Sequence, residues 1–437
     1  MIRILFATTL AFLAALPARA AVDIAEVASP GGIAAWLVEE PSIPFVALEI
    51  RFKGGSALDA PGKRGAINLM TGLLEEGAGD LDARDFAQAR ESLAASFSFD
   101  VSNDALSISA RFLTENRDEA VDLLRSALVE TRFGEDAIER VRAQVISGIR
   151  SDATDPNEIA SDTFARLVYG DHPYATSDSG TEQSVSGLTR EDLVEARDRV
   201  IARDRVYVGA AGDISPEELG ALLDQLLADL PETGAPMPEE ADVADEGFVE
   251  IVPFDVPQSV ALFGHAGIAR DDPDFFAAFV LNEVFGGSGR QSRLSDEVRE
   301  KRGLTYGIGT YLVDYDYADM LLGQVASANE VVAEAIEVVN DEWARIAEEG
   351  ITEEELTSIK TYLTGAYPLR FDGNGPIARI MVGMQMQGLP MDYINTRNDK
   401  VNAVTLEDTH RVAARLYDPE ALKFVVVGQP QGLVPTD

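Results

Sequence analysis

The feature that most constrains the fold is that the chain repeats itself. Residues 185–192 (Val-Ser-Gly-Leu-Thr-Arg-Glu-Asp) and 401–408 (Val-Asn-Ala-Val-Thr-Leu-Glu-Asp) align position for position. Each leads through a helical pattern to an apolar run ending in glycine, at Gly212 and at Gly428, and both offsets are 216 residues. Thr189 and Thr405 stand where helix N-caps belong, with acids in the first turn behind them. The openings repeat as well: 45–77 and 259–289 each run strand, Asp- and Pro-containing turn, apolar helix, glycine. Between these, a strand pair over 96–111, an amphipathic helix from Asn116 and a longer helix from Glu135 have counterparts over 309–325 and from Asn329 and Thr352. Two copies of about 200 residues mean a duplicated domain and not a solenoid. Strands meeting in hairpins, with long helices between them, predict the same α+β unit twice. Each unit is a mainly antiparallel sheet with helices packed on one face. The expected limits are residues 21–230 and 248–437, and 231–247, rich in Pro, Gly and acid without apolar periodicity, is a linker.

Charge narrows the function. The 437 residues carry 75 acidic against 36 basic side chains, a formal net charge of −39, and the acids are scattered through helical patterns. That distribution is a solvated surface, and it disfavours nucleic acid or an anionic membrane as partner. The N-terminus reads as an export signal over residues 1–20. Arg3 is its positive region, residues 4–16 its apolar run, and Ala18-Arg19-Ala20 a small-x-small cleavage site. The run is short of the roughly 20 residues that span a bilayer. With no cysteine there is neither a lipid-modified anchor nor a disulfide framework. The expectation is a periplasmic or secreted protein, cleaved near Ala20, with no stable membrane anchor.

Several segments together carry a family resemblance over almost the whole mature chain. In the first half they are 52–59 (Phe-Lys-Gly-Gly-Ser-Ala-Leu-Asp), 65–77 (Gly-Ala-Ile-Asn-Leu-Met-Thr-Gly-Leu-Leu-Glu-Glu-Gly) and 169–174 (Tyr-Gly-Asp-His-Pro-Tyr). In the second they are 282–294, 298–306, 368–374 and 388–393. The chain resembles the pitrilysin/insulinase-like zinc peptidases. There an inverted H-x-x-E-H on the first helix supplies two zinc ligands and the general base, and a Glu farther on supplies the third ligand. In this register those positions hold Asn68, Thr71, Gly72 and Gly148. The chain has only three histidines, His172, His265 and His410, far apart in sequence. The resemblance therefore implies a family member with no zinc of its own. Paired acids at Glu75 and Glu76 read as the end of an amphipathic helix, where they oppose its dipole. No G-x-S-x-G elbow supports a serine hydrolase.

More narrowly, residues 65–77 resemble the non-catalytic chain of the bacterial two-chain members, whose division of labour is similar to that of the mitochondrial processing peptidase subunits. Such chains carry an Arg/Tyr pair, and Arg299 and Tyr306 have the matching spacing. The resemblance implies that Arg299 binds a substrate carbonyl while Tyr306 assists at the developing oxyanion. They act in trans on a partner chain bearing H-x-x-E-H and zinc. The substrate is a peptide or unfolded segment added to a sheet edge, inside a clamshell of which this chain is one half. From the residues alone another reading stands: Arg299 pairs with Asp296 or Glu300, and Tyr306 packs beneath a helix. The alternative function is a non-enzymatic peptide-binding or scaffold protein.

Overall fold

The computed structural model describes residues 23–436, so the export signal proposed over 1–20 lies outside the described residues. The first half builds β1 (Ala25–Ala28), β2 (Ala34–Glu39), β3 (Phe45–Lys53), a small ladder of β4 (Gly77–Ala78) and β5 (Leu81–Asp82), then β6 (Ser96–Val101), β7 (Ala105–Leu113) and β8 (Val206–Gly212). The second builds β9 (Phe248–Pro253), β10 (Gln258–Ala266), β11 (Thr305–Tyr315), β12 (Ala318–Ala328) and β13 (Lys423–Gly428). The main sheets have the orders β1-β2-β8-β3-β7-β6 and β11-β12-β10-β13-β9. Taken from the other edge, β9-β13-β10-β12-β11 reproduces β2-β8-β3-β7-β6 strand for strand, so the repeat in sequence is a repeat in topology. Pairing is antiparallel except for β2 with β8 and β9 with β13. Thr189 and Thr405 both close capping boxes, with Asp192 and Asp408 respectively.

Each sheet lays one face on helices of its own half. In the first, Leu69, Met70, Leu124, Leu193 and Leu223 pack beneath Leu48, Ile50 and Ile108. In the second, Trp343, Val339, Val412 and Leu281 pack beneath Phe263, Val325 and Phe424. The opposite faces are covered too, which one-sided packing does not anticipate. The helix Pro156–Tyr169 of the first half lies on β10 and β13 of the second, burying Ala160, Phe164 and Val168 against Leu262, Val425 and Val427. The helix Asn374–Met386 of the second half lies on β8, β3 and β2 of the first, where Ala378 and Met381 meet Ala211. Gly209 permits that approach: a Cβ there would stand 2.7 Å from the carbonyl oxygen of Ala378. This exchange explains why β13 is buried along its whole length and β8 over its last five residues.

Residues 231–247 form no helix or strand, yet they are tied to both halves. The Ala235 N–H donates to the Arg199 carbonyl at 2.9 Å, that of Ala241 to Tyr317 at 2.9 Å, and that of Gly247 to Glu420 at 3.0 Å. Beside this strap the halves meet through a polar contact. The Tyr174 hydroxyl donates to Asp104 and accepts from the Tyr317 N–H at 3.3 Å, while Lys53 pairs with Asp316 at 3.2 Å. Rings of Tyr169, Tyr315 and Tyr317 surround Tyr174 at 5.4–5.8 Å.

This seam generates two predictions. Phe164→Ala removes a ring that is 3% exposed and held by the other half's sheet. It is expected to cost about 3–5 kcal/mol while unfolding stays a single transition. Two separate calorimetric transitions in the parent chain would contradict the shared core. Burial pushes the Asp104 carboxyl up to about 6, against its Tyr174 hydrogen bond and with the Asp316 charge adding to the rise. A folded value above the unfolded one favours the protonated form. The stability it brings is complete below about pH 4 and is lost as pH rises through about 6. Asp104→Asn stays neutral. Relative to the parent it should gain about 2–3 kcal/mol between about pH 4 and about pH 7, read from urea midpoints; a difference independent of pH would contradict it.

Candidate functional site

The first helix shows how the family's metal positions are occupied here. Asp59 sets its start: the carboxylate accepts the N–H groups of Gly65 and Ile67, both at 2.8 Å, with the Arg64 guanidinium 3.6 Å away. Burial nevertheless pushes this carboxyl up to about 6. The α-helix covers only Ala66–Thr71, and the chain continues to Glu76 as turns, shorter than the amphipathic pattern suggested. Glu75 and Glu76 consequently do not oppose a helix end. They pair with Arg90 and Arg140 instead.

Asn68 is half-buried. Thr71 is buried and its hydroxyl donates back to the Ile67 carbonyl at 2.8 Å. Gly72 is pressed by the helix Glu135–Asp152: a Cβ would stand 3.0 Å from Val141 Cγ1. Gly148, on that same helix, is exposed, with no atom within 4 Å of where a Cβ would be. An amide, an engaged hydroxyl and two bare backbones do not fit zinc, which takes His, Cys or carboxylate ligands. Among the described residues no three His, Cys, Asp or Glu side chains converge on a metal position.

The histidines are engaged elsewhere. His172 Nδ1 accepts the Tyr174 N–H at 3.2 Å, so Nε2 carries the proton given to the Glu239 carbonyl at 3.0 Å. His265, near the end of β10, is a core residue 3% exposed. Its Nε2 accepts from the Trp343 indole at 3.1 Å and its Nδ1 donates to the Ala266 carbonyl at 2.7 Å. Burial pushes its pKa down, which keeps the ring neutral. His410 is exposed and bonds the Ile351 carbonyl at 3.1 Å.

Arg299 and Tyr306 lie on the two sides of one tight turn. Arg299 belongs to a widened helical turn, Ser295–Glu300, and pairs with exposed Glu300 at 2.8 Å, as the surface reading of this residue anticipated. Buried Glu297 is taken by Lys301 at 2.7 Å and Arg302 at 2.6 Å. The Arg299 side chain is 25% exposed and that of Glu300 57%, and a pair that solvent reaches in this way is worth about 0–1 kcal/mol, so another acceptor can displace it. The turn closes through Gly303 N–H to the Arg299 carbonyl at 2.9 Å and Leu304 N–H to Val298 at 3.0 Å.

β11 then begins with a bulge. Thr305 faces Ser327, and the next paired residue is Ile308 with Val325, leaving one extra residue on β11. The Thr305 hydroxyl donates to the Ala326 carbonyl at 2.6 Å and accepts the Gly307 N–H at 3.1 Å, which holds the bulge. The result is a Tyr306 side chain 89% exposed on an edge strand. It packs under nothing, so that alternative falls. Glycines 286 and 287 lie on the widened helical turn Glu283–Gly287, and a Cβ at Gly286 would stand 2.7 Å from the Thr310 nitrogen. Close approach to β11 is the use of Gly286.

A cavity of about 490 Å³ farther along β11 escaped the sequence reading. It lies between the helix Phe275–Asn282, residues 310–314 of β11 and the helix Asn374–Met386, with Arg270, Arg370 and Arg397 in its wall. The signal available was indirect: the segments 368–374 and 388–393, which carry part of the resemblance, contribute Arg370, Leu389 and Tyr393 to it.

Comparisons with known proteins agree with this frame. Residues 35–182 match the family model described as Insulinase (Peptidase family M16), and residues 187–363 match Peptidase M16 inactive domain. The chain is 25% identical over 390 residues to the non-peptidase homolog YmxG of Helicobacter pylori, covering 89% of this chain and 90% of the relative. It is 27% identical over 392 residues to an uncharacterized zinc protease of Mycobacterium tuberculosis, covering 89% of each. Among solved structures, the peptidase M16 inactive domain from Pseudomonas fluorescens superposes with a TM-score of 0.88 at 26% identity, covering 95% of this chain and all of that one. A protease from Helicobacter pylori shares the fold at a TM-score of 0.84 and 18% identity, over 93% and 99% of the two chains.

The arrangement predicts that the chain, purified alone and dialysed, holds far less than one zinc ion per molecule by atomic emission. Retention of one zinc per chain would contradict the account of residues 68, 71, 72 and 148.

Proposed function

Because the chain belongs to the insulinase-like M16 peptidase family, we propose that it is the non-catalytic, substrate-binding subunit of a two-chain zinc metallopeptidase. The observation that carries this reading is the exposure of Tyr306. A phenol with no packing role is held outward by a bulge, beside an arginine whose only ion-pair partner among the described residues is a surface glutamate. The displaced metal set supports the same reading, as do the relative named a non-peptidase homolog and the neighbour titled an inactive domain.

In this proposal the partner chain bears H-x-x-E-H and its zinc, and bond cleavage belongs to it. The role of this chain is to present donors. Arg299 releases Glu300 and offers its fork of N–H groups to a backbone carbonyl of the peptide. Tyr306 gives a neutral hydrogen bond to the oxygen that gains negative charge as the carbonyl is attacked. The peptide lies extended along a sheet edge, with its backbone groups satisfied by the strand beside it. A periplasmic setting accords with the N-terminal pattern and the acidic surface. Among the described residues no helix is long and apolar enough to cross a membrane.

The alternative is a scaffold or peptide-binding protein with no part in cleavage, favoured by the ion pair that Arg299 already makes. Reconstitution separates the two. With a family chain bearing H-x-x-E-H encoded in the same genome, the mixture should cleave peptides that this chain alone leaves intact. Tyr306→Phe should then lower kcat about 100-fold. Its melting temperature should stay unchanged, since an exposed substitution moves stability by about 0.5 kcal/mol or less. A mixture that cleaves equally well with Tyr306→Phe would refute the assisting role, and one that never cleaves favours the scaffold.

A further inference from the structure

The cavity beside β11 has a charge character opposite to that of the molecule. Acidic side chains outnumber basic ones 75 to 36 over the chain, yet Arg270, Arg370 and Arg397 line one cavity and none of them makes an ion pair among the described residues. Arg397 is only 6% exposed, and its Nη1 donates to the Leu363 carbonyl and the Asn398 side chain, both at 3.0 Å. Arg270 donates to the Tyr393 hydroxyl, and its Nε is buried with no acceptor. Arg370 is exposed at the rim and makes no hydrogen bond among the described residues.

Two of the guanidinium groups are spread over aromatic faces. Arg270 stands 4.1 Å from the Phe275 ring centre, and Arg397 stands 4.7 Å from Tyr367 and 5.3 Å from Phe279. Stacking engages the faces of a guanidinium and leaves its N–H edges for an acceptor. A buried guanidinium without a counter-ion carries a desolvation cost that an anion would offset. The cavity's own carboxylates do not fill that role. Glu283 makes no ion pair with any of the three, and burial raises its pKa despite Arg370 and Arg397. Asp314 makes none with Arg270 and is raised by burial and by Asp316 and Asp271, with Arg270 opposing. Burial lowers the pKa of Arg397, and repulsion from the other two guanidiniums adds to the fall.

We propose that this cavity binds a carboxylate borne by a peptide, with the carboxylate held among Arg270, Arg370 and Arg397 and an adjacent apolar side chain against Phe275, Phe279 and Tyr367. A peptide is favoured over a small free anion for two reasons. The volume of about 490 Å³ exceeds what a carboxylate alone occupies, and residues 310–314 of the edge strand β11 form one wall. The adjoining cleft is more acidic, with Asp104, Asp271, Asp316, Asp319 and Glu240 against Arg51 and Lys53, and it shares Arg270, Asp314, Gly383 and Gln387 with the cavity. The inference rests on the peptide-binding part of the proposed function and is independent of Arg299 and Tyr306.

Calorimetric titration of the isolated chain tests it with three N-acetylated peptides. One ends in phenylalanine with a free carboxylate, the second is its C-terminal amide, and the third is an amide carrying an internal glutamate. Binding of the first and not the second assigns the carboxylate to a peptide C-terminus. Binding of the third assigns it to an acidic side chain. Either result supports the site. Affinity should fall about tenfold or more in Arg370→Gln, a rim residue with no internal partner among the described residues. It should fall less in Arg397→Lys, which keeps the charge but not the fork, and should weaken between about 0.05 and about 0.5 M salt. The proposal is overturned if neither the first nor the third peptide binds, or if Arg370→Gln binds within about twofold of the parent while its circular dichroism is unchanged. No partner chain enters this experiment, so it can fail while the Tyr306→Phe result stands, and the reverse.

Discussion

The reciprocal exchange of helices between the two halves is the constraint from which most of the rest follows. A sheet with helices on one face leaves the other wet, and β8 and β13 are too apolar for that. Val208, Ala210 and Ala211 in one, and Val425, Val426 and Val427 in the other, are fully buried. Each half meets the demand by lending a helix to its partner's sheet, Pro156–Tyr169 in one direction and Asn374–Met386 in the other. A helix that belongs to one half by sequence and to the other by packing makes the duplicated units one cooperative structure. It also brings residues from distant parts of the chain to one seam. The polar contact of Tyr174 with Asp104 and Tyr317 lies there, and so does the cavity wall formed by Gly383, Met384 and Gln387.

How much of this was legible in the sequence depended on whether a signal was local. The capping boxes at Thr189 and Thr405 were readable because the N-cap and its acid lie three residues apart, and their repetition at a fixed offset exposed the duplication. The strand pairs read over 96–111 and 309–325 were legible because a hairpin joins neighbours, and they run 96–113 and 305–328 in the structure. The covering of the second sheet faces was not, because nothing in residues 156–169 names β10 and β13 as their partners. The helical pattern over 66–76 misled for a physical reason. Leu73 and Leu74 are buried, so the apolar periodicity continues through turns after the hydrogen-bonded helix has ended at Thr71.

The candidate site divides along the same line. Absence of zinc ligands at Asn68, Thr71, Gly72 and Gly148 could be read directly, because a side chain that is not there needs no tertiary context. The exposure of Tyr306 could not. Its strand pattern allows an inward or an outward ring, and the choice is made by one extra residue in the register opposite Ala326. The arginine-lined cavity was hidden more deeply, since Arg270, Arg370 and Arg397 come from three separate segments and each alone reads as a surface charge. Only the fold shows that they converge and that, among the described residues, no carboxylate pairs with them.

The duplication also supplies an internal comparison that separates fold from function. By position in the two sheets, β11 corresponds to β6. β6 pairs with β7 in unbroken register from Ser96–Arg111 to Val101–Leu106, whereas β11 carries a bulge at its start. The shared topology therefore does not require the bulge, and a feature that the fold does not require is the one that turns Tyr306 outward. The metal positions show the opposite tendency. Val141 stands against Gly72 and the Thr71 hydroxyl is spent within its own helix, while Gly148 lies exposed with open space around it. The first half carries no zinc-binding side chain at residues 68, 71, 72 and 148, while the second holds an exposed tyrosine and three cavity arginines with no ion-pair partner among the described residues. Under the proposed function, that asymmetry makes the second half the place where substrate is met.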